Sequence, residues 1–181
     1  MIGREEGLRR LHDEIPQPNL IKHLIATESV MRGLATRLGE DEELWGITGL
    51  MHDLDYTRTA DDPERHARMS VEMLEGDLPD ASLQAILAHC GHVPAVSQMD
   101  KAIRCADPVT GLITAAAMMH PAKKLAAVDV PFLIKRFKEK RFAAGANREQ
   151  IAECKLLDIE LEEFLKLALT SMQGAAEELG L

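Results

Sequence analysis

Aromatic residues are scarce in this chain: one Trp, one Tyr and four Phe make up 3% of its 181 residues. This scarcity removes the stacking platforms with which many proteins bind single-stranded nucleic acid. Basic residues are also outnumbered, because 21 Lys and Arg face 30 Asp and Glu, which gives a net charge of −9. Proteins that bind nucleic acid or anionic membranes need a basic face. The composition therefore argues against both kinds of partner.

Cysteines and long apolar runs are scarce as well. The three cysteines, an odd number without a CxxC spacing, do not indicate a disulfide framework. The most apolar stretch, Gly111 to Met119, is far shorter than the roughly 20 residues that span a bilayer. Charged residues already occur at Arg4 and Glu5, so we expect no signal peptide. Together these absences predict a soluble protein of the cytoplasm.

What the chain does contain favours helices. Leucine and alanine, both strong helix formers, account for 47 of the 181 residues. β-branched residues do not alternate with polar residues over any strand-length window. No internal repeat, low-complexity tract or Gly/Ser-rich linker divides the sequence. The sequence therefore predicts a single all-α domain over residues 1–181.

Capping residues and prolines predict where these helices begin and end. The predicted helices cover about residues 3–14, 19–38, 42–53, 63–75, 81–92 and 97–119. The last of them should be interrupted at Asp107–Pro108, because a residue before proline avoids helical geometry. Residues 56–62 are predicted to form a polar loop. After Pro121 the pattern is weak until Asn147, and two helices split near Asp158 complete the chain.

Histidines and acidic residues recur within apolar segments, which is the most informative feature of the sequence. Imidazole nitrogens and carboxylate oxygens are ligands that suit Zn, Fe, Mn, Ni and Co. A buried aspartate also needs a partner or a metal, because an unpaired charge in an apolar setting is costly. The residues of this kind are His23, His52, Asp53, His66, His89, His92 and Asp107.

The order His…His-Asp…Asp formed by four of these residues resembles the signature of the HD superfamily of metal-dependent phosphohydrolases. The segments AILAHCGHVP, DKAIRCADPVTGLITAA and RFKEKRFAAGANREQI resemble one bacterial subgroup of predicted HD hydrolases. The resemblance implies an HD-type helical bundle with an internal metal site. Its motif region would cover about residues 20–120, followed by C-terminal helices in about residues 121–181. The chain departs from many members after its His-Asp doublet, where Asp55 and Tyr56 replace a Gly or a Lys.

The resemblance also implies roles for the candidate ligands. The first of one or two divalent ions would be held by His23, His52, Asp53 and Asp107. Asp53 would bridge to a second ion, completed by His66 and His89, and would act as the catalytic residue of the site. A metal-bound, bridging hydroxide would attack phosphorus. The implied reaction is hydrolysis of a small phosphate ester, on a nucleotide or a related metabolite.

Several residues keep two interpretations at this point. Asp107 could instead cap a new helix before Pro108, and His66 could be a surface histidine. His92 could contact the substrate or protonate a leaving group, or it could be an exposed histidine at a helix end. Lys135 and Lys138 belong to the basic run IKRFKEKR, which could hold phosphate or could form a solvated helix face.

Two other functions compete with phosphate-ester hydrolysis. Some proteins that resemble this chain use the same ligand set for a diiron centre that activates oxygen. Others are non-catalytic signalling or scaffold domains, which typically lack the ligands that this chain retains. The sequence contains nothing that decides the oligomeric state, so a homodimer is an alternative to a monomer.

Overall fold

The computed structural model describes residues 1–181 and contains helices but no β-strand, which confirms the all-α prediction. The α-helices are α1 (Arg4–Glu14), α2 (Pro18–Leu38), α3 (Glu42–Met51), α4 (Tyr56–Thr59), α5 (Arg68–Leu74), α6 (Asp80–His89), α7 (Gln98–Met119), α8 (Val130–Lys138), α9 (Arg148–Ile151), α10 (Leu161–Gly174) and α11 (Ala176–Leu179). Two 3₁₀ helices cover Leu125–Ala127 and Ala152–Leu157. None of the helices combines the length and apolar character needed to cross a membrane.

Side-chain caps begin the helices at several predicted positions. The Asp41 carboxylate accepts a hydrogen bond from the backbone N–H of Leu44 at 3.0 Å, at the start of α3. Helix α7 begins with a reciprocal pair, in which the Ser97 hydroxyl accepts from the Asp100 N–H and the Asp100 carboxylate accepts from the Ser97 N–H. Such caps satisfy backbone donors that have no partner within the helix. They therefore fix the starting points of two helices that lead to the functional site.

Helix α2 packs against α3, α7 and α10, around a continuous core of 44 buried hydrophobic residues. Helix α3 approaches α2 closely because Gly49 has no side chain. A Cβ atom at that position would lie 2.9 Å from Met31 Cγ and 3.1 Å from the carbonyl oxygen of Thr27. This close approach brings the His23 and His52 rings side by side, with 5.4 Å between their centroids.

The structure differs from the prediction between residues 56 and 75. The expected loop contains the short helix α4, and the helix expected from Pro63 begins only at Arg68. Turns occupy the intervening residues. Ala67 has a φ angle of +64°, which a residue in a right-handed helix does not adopt, so α5 cannot extend back toward Pro63. The predicted helix start was therefore wrong, and His66 lies in a turn.

The predicted break at Asp107–Pro108 was also wrong, because α7 continues through both residues. Pro108 has no N–H to donate to the carbonyl four residues earlier, which removes one helix hydrogen bond. Pro108 and its neighbours Ala106 and Val109 are buried, and α7 packs against α2 and α6. Tertiary packing of this kind supplies most of the stability of a helix and outweighs the single lost bond. Asp107 therefore does not cap a new helix.

Arg148 stabilises the loop that connects α8 to α9. Its guanidinium group donates hydrogen bonds to the carbonyl oxygens of Ala143 at 2.7 Å and Ala146 at 2.6 Å, and also to that of Phe142. Because several backbone acceptors converge on one side chain, the connecting loop is held against the start of α9. Helix α9 in turn carries Gln150 to the edge of the main cavity.

Candidate metal centre

A cavity of about 590 Å³ opens beside helices α2, α3, α6 and α7. It is lined by Asn19, Leu20, His23, Asp53, Tyr56, His66, His89, Cys90, Asp107 and Gln150. Five of the six candidate ligands are in this lining, and the sixth, His52, is fully buried directly behind it. The structure therefore brings together all six residues from distant parts of the chain.

Each candidate ligand comes from a different position in the helical framework. His23 lies in α2 and Asp107 in the middle of α7, while His89 is the last residue of α6. His52 and Asp53 follow directly after α3, at its C-terminal end. His66 lies in the turn before α5 and is the one candidate histidine outside a helix or helix cap. Most of the centre is thus built on regular elements, which hold side chains more rigidly than loops do.

Three of these side chains form a first group at the base of the cavity. The Asp107 Oδ1 atom lies 3.1 Å from His23 Nε2 and 3.9 Å from His52 Nε2. Their ligand atoms lie within 4.8 Å of one another, a spacing that one metal ion can bridge. Burial alone would raise the pKa of Asp107, but the contact with His23 holds that pKa below its usual value.

A second group surrounds Asp53. Its Oδ1 atom lies 3.2 Å from His89 Nε2, 3.3 Å from His66 Nε2 and 3.5 Å from His52 Nε2. The ligand atoms of His52, Asp53 and His89 lie within 4.8 Å of one another. His52 therefore belongs to both groups, and it joins them into one cluster.

The histidine nitrogens that point away from the cluster all have partners. A ligating histidine typically donates its other ring N–H in this way, which fixes the tautomer and the ring orientation. The partners of the four Nδ1 atoms are the Thr110 hydroxyl for His23, the Gly49 carbonyl for His52, the Asp55 carboxylate for His66 and the Ile86 carbonyl for His89. In the neutral form of these rings, each Nε2 atom then faces the cluster with its lone pair, where a bound cation would take the place of a proton.

Two buried atoms at the centre have no hydrogen-bond partner: His52 Nε2 and Asp53 Oδ1. Polar atoms are rarely left unsatisfied in the interior of a protein, because their desolvation costs about 1–3 kcal/mol each. A divalent cation would satisfy both atoms at once, and imidazole nitrogens with carboxylate oxygens are its preferred donors. The residues therefore fit a divalent metal, as the composition of the cluster predicted.

The electrostatics of the cluster are those of a site that binds cations. Burial alone would raise the pKa of Asp53, but the imidazoles of His52, His66 and His89 hold that pKa well below its usual value. Burial alone would lower the pKa of His66, but Asp53 and Asp55 raise it to about 10. Burial lowers the pKa of His52, so this imidazole is neutral and has a lone pair to offer. Asp53 thus stays ionised at neutral pH.

Several residues near the cluster were not among the predicted site residues. Asp55 is fully buried and contacts His66, and Thr110 contacts His23. Asn19, Tyr56 and Gln150 supply amide and hydroxyl groups to the cavity lining. The position of Asp55, two residues after Asp53 in an apolar run, was a sequence signal for a buried carboxylate. Asn19 and Gln150 carried no comparable signal, since polar residues near helix starts are common.

The residues predicted to contact substrate lie elsewhere. His92 is absent from the cavity lining, and its Nε2 atom donates to the backbone carbonyl of His66 at 2.7 Å. This bond holds the turn that carries His66. Lys135 and Lys138 lie on α8 and do not line the cavity either. The cavity lining contains no lysine or arginine, so neither residue type brings positive charge to the cavity.

Comparison with known proteins identifies the class of protein that this framework defines. The chain matches the HD domain family over residues 20–129, which is more than half of its length. The chain therefore belongs to the HD domain family, whose members are usually metal-dependent phosphohydrolases. The matched range contains all six residues of the cluster, which confirms the resemblance drawn from their order in the sequence.

One similar protein is ribonuclease Y of Lactobacillus acidophilus (strain ATCC 700396 / NCK56 / N2 / NCFM). The chain is 31% identical to it over 105 residues, which are 58% of this chain. The aligned part is 19% of the ribonuclease, so the chain spans about a fifth of the length of that relative. No solved structure matches the chain.

Proposed function

We propose that this protein is a metal-dependent hydrolase of a small phosphate ester. The observation that carries the proposal is the convergence of four imidazoles and two carboxylates at the base of one cavity. Within this cluster, the buried atoms His52 Nε2 and Asp53 Oδ1 have no partner in the protein. Family membership supports the same reaction class, since HD domains usually hydrolyse phosphorylated compounds.

The six side chains would act as ligands in two sets. His23, His52 and Asp107 form one set, and Asp53 faces His66 and His89 in the other. Divalent ions bound there would lower the pKa of a coordinated water and place positive charge beside the phosphate. Asp53 is suited to serve both sets, because it is ionised and one of its oxygens faces three imidazoles. We assign it the central catalytic role.

The cavity favours a small substrate that has one phosphate near the metal ligands. With no lysine or arginine in the lining, no side chain there could neutralise a chain of phosphates. Asn19, Tyr56 and Gln150 offer hydrogen-bond donors and acceptors to the rest of the substrate. A nucleotide or related metabolite meets these requirements. The relative is a ribonuclease by name, so a short RNA is a useful comparison substrate, although the net charge of −9 argues against RNA.

The proposal is tested by measuring phosphate release before and after metal removal. Purified protein is stripped with a chelator and reloaded separately with Mn, Fe, Co, Ni or Zn. It is then assayed anaerobically against phosphomonoesters, nucleotides, dinucleotides and a short RNA. Hydrolysis that needs the metal but not oxygen supports the proposal and excludes oxygen activation as its basis. Failure of every metal-loaded form on every substrate would overturn it and favour a non-catalytic role.

The substitution Asp53→Asn should lower metal-dependent turnover by more than about 100-fold, because outer-shell changes alone cost about 10–100-fold at metal sites. Asp100→Asn is the matched control. Asp100 is also buried and accepts two backbone N–H bonds, both at 2.9 Å, but it lies at the start of α7 and outside the cavity lining. The activity of the Asp100→Asn variant per folded molecule should equal that of the wild type. Normal turnover by Asp53→Asn would remove Asp53 from the reaction.

A further inference from the structure

We infer that Asp55 is a positioning residue that sets the orientation and tautomer of His66 and thereby the occupancy of a second metal position. The inference rests on the proposed function, since it assigns a partner to one of the proposed ligands. Asp55 stands at the position after the His-Asp doublet where the chain departs from many HD proteins. It is fully buried, and the proposed reaction gives it no direct role.

Both oxygens of the Asp55 carboxylate are engaged. Oδ1 accepts from His66 Nδ1 at 3.0 Å, and Oδ2 accepts from the backbone N–H of Ser70 at 3.2 Å. The Ser70 hydroxyl in turn accepts from the backbone N–H of Asp55 at 3.0 Å. These bonds tie the segment after α3 to the turn before α5 and to α5 itself. Asp55 therefore connects His66 to the same chain segment that carries Asp53.

His66 needs a partner from another segment of the chain, which His52 and His89 do not. His52 and His89 receive their orientation from carbonyls three residues earlier in their own helices. His66 lies in a turn, and the next residue, Ala67, has a positive φ angle. Neither the turn nor α5 supplies an acceptor for its Nδ1 atom. The Asp55 carboxylate at 3.0 Å takes this place, and the Thr59 hydroxyl of α4 lies farther from Nδ1, at 3.4 Å.

The chemistry of the contact decides the state of the ring. A carboxylate oxygen that is ionised can only accept, so the Nδ1 atom of His66 must carry the proton. The Nε2 atom lies 3.3 Å from Asp53 Oδ1 and would offer its lone pair to an ion that replaces the proton there. Donation of its N–H to a carboxylate also strengthens an imidazole as a ligand. Asp55 thus prepares His66 to bind an ion beside Asp53.

The test is the substitution Asp55→Asn, which preserves size but leaves one oxygen for two donors. Either His66 Nδ1 or the Ser70 N–H must then face an NH₂ group. We expect wild-type protein titrated with Zn²⁺ to bind two ions. The second ion should bind about 10–100-fold more weakly in Asp55→Asn, while the first keeps its affinity. Long-range ¹H–¹⁵N spectra of the zinc-loaded wild type should show His66 protonated at Nδ1 and bound through Nε2, a signal that the variant should lose.

Asp100→Asn again serves as the control, because it removes a buried carboxylate charge without touching the cluster. It should bind both ions as the wild type does. Two ions bound with unchanged affinity by Asp55→Asn would overturn the assignment and leave the proposed function intact. A wild type that binds one ion would also overturn it. A wild type that binds none would overturn the proposed function itself.

Discussion

The substitution Gly49→Ala tests whether the close contact between α2 and α3 requires a residue without a side chain. A Cβ atom at residue 49 would lie 3.1 Å from the Thr27 carbonyl oxygen and 3.2 Å from Glu28 Cα. Both are backbone atoms, so α3 must move away from α2. Overpacking of this kind costs about 1–3 kcal/mol, and Ala returns roughly 1 kcal/mol of helix propensity. Because backbone atoms cannot yield as a side chain can, we take the upper part of this cost, about 2–3 kcal/mol, and expect a net loss of about 1–2 kcal/mol.

The assay is thermal unfolding of the metal-free protein, since bound metal would add its own stabilisation. A chain of this size loses about 2–4 °C in Tm for each kcal/mol, so the shift is readily measured. Gly111→Ala is the control, because nothing lies within 4 Å of a Cβ at that exposed position in α7. It should raise the Tm. A Gly49→Ala protein that is as stable as the wild type would refute the argument from close packing.

Two further predictions concern pH and substrate affinity. The metal-free protein should lose stability as pH rises from about 6.5 to about 10, because the pKa of His66 is raised from 6.5 to about 10 by folding. Denaturant unfolding across this pH range should show the fall in the free energy of unfolding. The His66→Gln variant should lack the part of this fall that comes from His66. Gln150→Ala should raise KM with little change in kcat, and Gln150→Glu should raise it further by repelling phosphate. An unchanged KM in steady-state assays of both variants would exclude Gln150 from substrate binding.

The gross architecture and the membership of the cluster could be predicted from the sequence. Helix formers and capping residues such as Asp41 act locally, so their effect is visible without the fold. The six candidate ligands were recognised because their order in the chain resembles a known family. Their convergence depends on packing between distant helices, and periodicity alone would not have revealed it.

The failures arose where tertiary structure overrides local preference. Pro108 predicted a break, but burial of α7 on several sides keeps the helix continuous. Pro63 predicted a helix start, but the positive φ of Ala67 delays it by several residues. Lys135 and Lys138 were chosen for their charge, which carries no information about the face of the fold that they occupy, so their contact with substrate stays a prediction. Gln150 reaches the cavity from a short helix whose preceding loop is held by Arg148, a tertiary arrangement that the sequence does not reveal.

Helices α3 and α6 both end at the cluster, and this has a consequence for the order in which the metal ion and the phosphate ester bind. Both are ten-residue helices, and each directs its carboxyl end at the cluster through His52 or His89. The aligned peptide dipoles of a helix place about half a negative charge at that end. The peptide backbone therefore repels a free phosphate from the base of the cavity and attracts a cation to it. Binding should be sequential, with the phosphate ester entering only after the cation has reversed the local field.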